Sequence, residues 1–146
     1  MYCPCGTGKH YLKCCGTCIE IGENAPSAET LMRSRYTAYT LADITYINKT
    51  MRGKSVEDLD QSIHWLGLNV IKTTKKTEFH VFVEFIAKYQ KSDHIHSLHE
   101  ISEFLFENGC WYYIDGRIMP SQTHRISLNR PCYCGNGKKF KNCHGK

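Results

Sequence analysis

The chain has 146 residues, a formal net charge of +5, 41% hydrophobic residues and nine cysteines. That length suits one domain with small appendages rather than several domains. No apolar run reaches the ~20 residues that span a bilayer, and no charged-then-apolar leader precedes the first cysteine. The expectation is therefore a cytoplasmic protein with reduced thiols, not a membrane protein or a secreted disulfide scaffold.

Charge is spread unevenly. Every acid lies between Glu20 and Asp115, whereas residues 116–146 carry Arg117, Arg125, Arg130, Lys138, Lys139, Lys141 and Lys146 with no acid among them. A basic tail suits RNA, an anionic lipid or an acidic protein face, and it equally suits a small module that needs lysines for solubility.

The chain opens with Cys3, Cys5, Cys14 and Cys15 in a C-x-C-x8-C-C pattern. Zinc takes sulfur and nitrogen ligands in a tetrahedron, so four thiols form a complete set. Gly6 and Gly8 suit a tight loop around an ion. The spacing returns at the other end as Cys132, Cys134, Cys143 and His144, with Gly135, Gly137 and Lys138 matching Gly6, Gly8 and Lys9. Two zinc ions are expected, with iron the minor alternative for sulfur-rich ligation. Four protein ligands leave no open position for a water nucleophile, so the metal would hold structure rather than do chemistry. Cys18, three positions past Cys15, reads as a bystander. These motifs divide the chain into a knuckle at 1–20, a central domain at 21–125 and a second knuckle at 126–146.

Between the knuckles, Ser27 is a helix N-cap with Glu29 in the first turn. A helix is predicted over 28–50, with Met32, Tyr36, Tyr39 and Tyr46 on one face. Arg35 lies near that apolar stripe, and a partly buried guanidinium needs a carboxylate or an anionic ligand. Ser55-Val56-Glu57-Asp58 reads as a capping box opening a second helix. Four strands follow, at 66–74, 78–90, 95–107 and 110–115. The second alternates Val81, Val83, Phe85 and Ala87 against His80, Glu84 and Lys88, and Asn108-Gly109 is a hairpin turn. His94, His96 and His99 read as an exposed loop and strand start rather than a metal chelate, and Cys110 as a packing residue. Residues 117–129 read as a linker. Helices followed by an antiparallel meander predict an α+β fold with helices packed on one sheet face.

The terminal motif resembles the SEC-C zinc-binding motif, found at the tail of the SecA preprotein translocase motor. Two copies bracketing a domain of this size resemble the YchJ-like family. Leu31-Met32-Arg33-Ser34-Arg35-Tyr36-Thr37-Ala38-Tyr39, Trp65-Leu66-Gly67-Leu68 and the stretch from Glu107 to Gly116 read like that family too. The resemblance covers nearly the whole chain and implies an NTF2-like α+β cone. In SecA the motif docks onto a protein chaperone and lies near the ribosome. The leading expectation is accordingly a zinc-binding adaptor for protein, ribosome or RNA, with Tyr133, Lys138, Lys139, Phe140 and Lys141 as its contacts. Cones of this type often bind a small molecule at the open end, and related folds include isomerases and hydratases. The rival expectation is a ligand-binding protein or enzyme whose cone is lined by Arg35, Tyr39, Trp65, Glu100, Ser102, Tyr113 and Asp115. Against that stands a plainer reading of the same residues, a core ion pair between Arg35 and Glu100. No nucleophile–base pair is declared by spacing, which weighs against an enzyme.

Overall fold

The computed structural model describes residues 1–120 and 123–125. The second cysteine motif, and with it Cys132, Cys134, Cys143, His144 and the contact set Tyr133, Lys138, Lys139, Phe140 and Lys141, lies outside the described residues.

A short N-terminal unit comes first. It pairs Tyr2 with His10, makes a 3-10 turn at Tyr11–Lys13 and ends in helix α1, Cys15–Ile19. Helix α2, Ala28–Thr40, starts as expected: the Ser27 hydroxyl accepts from the Thr30 N–H at 3.1 Å. The continuous helix predicted over 28–50 does not form. Ala42 turns left-handed with φ 56°, and Asp43 caps a separate helix α3, Ile44–Lys49, by accepting from the Tyr46 N–H at 3.0 Å. An aspartate at this position satisfies an orphan helix donor, and a run of helical periodicity hides that signal.

The second predicted helix is also absent. Asn48 holds Val56 from both sides, its amide donating to the Val56 carbonyl at 2.9 Å and accepting from the Val56 N–H at 2.7 Å. That clamp uses the backbone groups a helix start would need. Val56 and Leu59 still pack on the core, but from a segment that is neither helix nor strand.

The sheet is an antiparallel meander of β1 (His64–Thr77), β2 (His80–Lys91), β3 (His94–Glu107) and β4 (Cys110–Ile118). A fifth strand, β5 (Thr123–Arg125), falls within the stretch predicted as linker and extends the β4 edge by pairing with the start of β3. At the β3–β4 hairpin Asn108 and Gly109 both adopt positive φ, as a type I′ turn demands. Register shifts interrupt β1 at Trp65/Gly67, Val70/Lys72 and Lys75/Thr77, and β4 opposite Glu103/Phe104, where Ile114 is the extra residue. Such bulges bend strands and raise their twist.

Helix α2 lies against β1, β2 and β4. Val81, Val83, Phe85 and Ala87 of β2 and Phe104 of β3 bury toward it, together with Leu31, Met32 and Tyr36 of the helix and Ile47 of α3. After α3 the chain runs briefly beside β4: Tyr113 donates to the Thr50 carbonyl and Arg52 donates to the Tyr113 carbonyl, both at 2.9 Å. This fastens the end of α3 to the sheet and closes one side of the space between them.

Candidate functional site

Two constellations stand out, and α2 carries one on each side. Toward the N-terminus, the sulfurs of Cys3, Cys5, Cys14 and Cys15 lie within 4.8 Å of one another. A tetrahedron of Zn–S bonds near 2.3 Å has edges of about 3.8 Å. The Cys5–Cys14 sulfur separation is 3.6 Å, so the thiol set fits a metal ion of that kind.

The loop geometry explains the convergence. Gly6 and Gly8 take φ 84° and 82°, which returns the chain within a few residues. The Cys3 N–H donates to the Lys9 carbonyl at 2.8 Å, closing the loop, and α1 delivers Cys15 from the other side. Cys3, Cys5 and Cys15 are buried. Interaction with Cys15 pulls the Cys5 thiol down to about 4. The same hydrogen bond pushes Cys15 up, and burial raises Cys14. Metal binding must therefore displace protons from the remaining thiols. Cys18 is buried outside this group, beside Thr17.

On the other side of α2 lies a cavity of about 280 Å³ between helix and sheet. Six of the seven residues expected to line the cone, Arg35, Tyr39, Trp65, Glu100, Ser102 and Tyr113, meet around it. Asp115 does not. It sits exposed outside and pairs with Lys54 at 2.6 Å, and Lys54 itself lines the cavity. Its neighbour in space had no signal in the sequence, because the two are joined only by the fold.

The ion pair between Arg35 and Glu100 does not form; Arg35 has no carboxylate partner among the described residues. Its Nη1 donates instead to the Ile47 carbonyl and to the Thr50 hydroxyl, each at 2.7 Å, and its guanidinium stacks 4.6 Å from the Tyr113 ring centroid. The break between α2 and α3 supplies those acceptors, which a straight helix would have carried away. Glu100 accepts from the Ser102 hydroxyl at 2.5 Å, and burial raises its carboxyl above the usual range. Trp65 forms one wall, with ring centroids 5.8 Å from Tyr36, 6.2 Å from Tyr39 and 5.2 Å from Tyr89.

Among the described residues His94, His96 and His99 do not bring their ring nitrogens into one metal-sized group. His99 pairs with Glu84 at 2.7 Å and His94 with Asp93 at 2.8 Å, while His96 stacks on Tyr89 and bonds Thr123. They belong to strand β3 and are only partly exposed, rather than forming a loop. Cys110 is half-buried at the start of β4.

No helix among the described residues is long and apolar enough to cross a membrane.

Comparison with known proteins adds a frame to this geometry. A family described as the YchJ middle NTF2-like domain matches residues 27–116. The chain is 39% identical to UPF0225 protein GSU1048 of Geobacter sulfurreducens, over 98% of this chain and 97% of that protein. It is 40% identical to UPF0225 protein plu2503 of Photorhabdus laumondii, over 98% of both. Among solved structures it resembles RPA3114 of Rhodopseudomonas palustris, a SEC-C motif containing protein, with TM-score 0.72 and 34% identity over 82% of this chain and 100% of that one. A SEC-C motif containing protein from Psychrobacter arcticus matches with TM-score 0.65 and 31% identity over 98% and 94%. With its N-terminal thiols gathered beside α2 and α2 laid on an antiparallel sheet, the chain belongs to the YchJ family and carries its NTF2-like middle domain.

Proposed function

We propose that the chain is a zinc-stabilised adaptor in the cytoplasm, whose cysteine-rich knuckles engage a protein, ribosome or RNA partner. The observation that carries this reading is the closed four-thiol cluster, whose sulfurs lie within 4.8 Å of one another while several side chains of the same short unit are left exposed. Tyr2 and Leu12 are 80% and 54% exposed, beside exposed Lys9 and Lys13. An apolar and basic surface on a metal-stiffened loop suits recognition, and a saturated ion suits scaffolding. By the repeat in the sequence, Cys132, Cys134, Cys143 and His144 hold a second ion, and Tyr133, Lys138, Lys139, Phe140 and Lys141 form the second contact surface.

The test is Lys138→Glu combined with Lys139→Glu, read by pulldown from extract and by ribosome cosedimentation. Binding should disappear while zinc content stays intact. Unchanged binding in that variant would sink the basic-knuckle reading.

A specific observation favours a second role for the body. The cavity beside Arg35 is walled by aromatic side chains with a few polar groups at one end, as small-molecule sites are. The body on this reading binds a small ligand, and no nucleophile–base pair points to chemistry upon it.

A further inference from the structure

The cavity's polar groups differ in how they are occupied. Lys54 is engaged by Asp115 at 2.6 Å. Ser102 is engaged by Glu100. Arg35 is different. Its guanidinium is buried, yet among the described residues only Nη1 has hydrogen-bond partners. Every fully enclosed side-chain nitrogen or oxygen among those residues has a partner. The remaining N–H groups of Arg35 therefore face open space, and the space Arg35 lines is the cavity.

We infer that this cavity takes a small planar apolar molecule bearing one carboxylate, with the carboxylate seated on the free N–H groups of Arg35. This rests on the reading that the body binds a small ligand. Three features of the site select that class. The guanidinium is held rigidly by Ile47, Thr50 and the Tyr113 ring, so its open edge is a preset planar fork, which matches a carboxylate. Arg35 is the cavity's one cation without a carboxylate partner among the described residues, which suits a single negative charge. Met32, Tyr36, Trp65, Phe85, Leu98 and Phe104 supply the apolar walls.

Size narrows the class further. At about 280 Å³ the space is at the small end of ligand sites, which suits one ring and a short acid arm. Glu100 sits at the same polar end. In its neutral form it is a donor to a carboxylate oxygen, and burial favours that form.

The experiment is calorimetric titration of the full, metal-loaded chain with phenylacetate, phenylacetamide, 2-phenylethylammonium and phenyl phosphate. Phenylacetate should bind at least tenfold tighter than the amide, and the ammonium should not bind. In Glu100→Gln, which keeps a neutral group of the same shape, phenylacetate affinity should stay within about threefold. Arg35→Gln should lose at least tenfold. That variant also loses the bonds to Ile47 and Thr50, so the analogue series on the unaltered chain carries the test by itself. Equal affinity for acid and amide overturns the carboxylate assignment and leaves a ligand-binding body standing. Tighter binding of the ammonium overturns it by revealing an ionised Glu100 as the anchor. Tighter binding of phenyl phosphate overturns the choice of anion. Failure of all four probes at millimolar concentration overturns both this inference and the ligand-binding reading beneath it.

Discussion

The Arg33 guanidinium donates to the main-chain oxygen of Cys5 at 2.9 Å, while its Nε pairs with Glu29 at 3.1 Å. One side chain of α2 thus grips the loop that carries the first two thiols. A turn further on, Thr37 of the same helix lies 3.7 Å from the Cys3 sulfur. Residues four apart share a helix face, so Arg33 and Thr37 meet the thiol loop while Arg35, Tyr36 and Tyr39 meet the cavity.

Arg33→Met should loosen that grip. The side chain is 23% exposed, which discounts a charge-assisted hydrogen bond to about 1 kcal/mol. Denaturant unfolding of the metal-loaded variant should show a loss of that size, and a chelator should strip its metal several-fold faster. A variant that matches the unaltered chain in both measurements would show that the contact contributes nothing.

Cys14→Ser should lower bound metal by one equivalent in elemental analysis of reduced protein, because one ligand of the cluster is gone. Cys18→Ser should leave the metal content unchanged, since Cys18 lies outside the cluster. Equal loss in both would mean that the ligand set has been misassigned. Acid should release the ion from the unaltered chain, as protons compete for the thiolates.

Glu100 supplies a pH prediction. Its carboxyl is raised in the folded state, chiefly by burial. A raised carboxyl favours folding fully below the ordinary glutamate range, and that contribution is lost as pH rises through the folded value. Glu100→Gln removes the group that must ionise. Its stability relative to the unaltered chain should therefore improve as pH rises from the ordinary glutamate range through the folded-state value, and level off above it. Parallel pH–stability curves from denaturant titrations would contradict the burial of this carboxyl.

Gly116→Ala should destabilise the fold and constrict the cavity's polar end. An added Cβ would meet the Tyr113 hydroxyl at 2.6 Å and the Glu100 carboxyl at 2.7 Å. Both groups have to move, at a cost of about 1–3 kcal/mol. Thermal unfolding would report the loss, and phenylacetate titration the constriction. An alanine variant that unfolds at the original temperature would mean that the two side chains yield freely.

Ala42→Gly should raise stability slightly, by about 0.5 kcal/mol. Ala42 is left-handed at φ 56°, which costs a residue with a Cβ about 1–2 kcal/mol, partly offset by the greater chain entropy of glycine. Unfolding midpoints in denaturant would settle the sign.

Local pattern alone determined the parts of this protein whose physics is local. Alternation over Val81, Val83, Phe85 and Ala87 marked the buried face of β2, Asn108-Gly109 marked the β3–β4 hairpin, Ser27 marked the start of α2, and the spacing of Cys3, Cys5, Cys14 and Cys15 marked a thiol cluster that needs only one loop and one turn to close. Partners far apart in the chain were decided by tertiary structure. Asn48 captured Val56 and cancelled a helix that the capping box favoured. Lys54 drew Asp115 out of the cavity lining. The break at Ala42 brought Ile47 and Thr50 back over Arg35, so a main-chain carbonyl and a hydroxyl took the place expected for the Glu100 carboxylate. Propensity and spacing act over a few residues, whereas the partner of a buried charge is whichever acceptor the packed elements bring within about 3 Å.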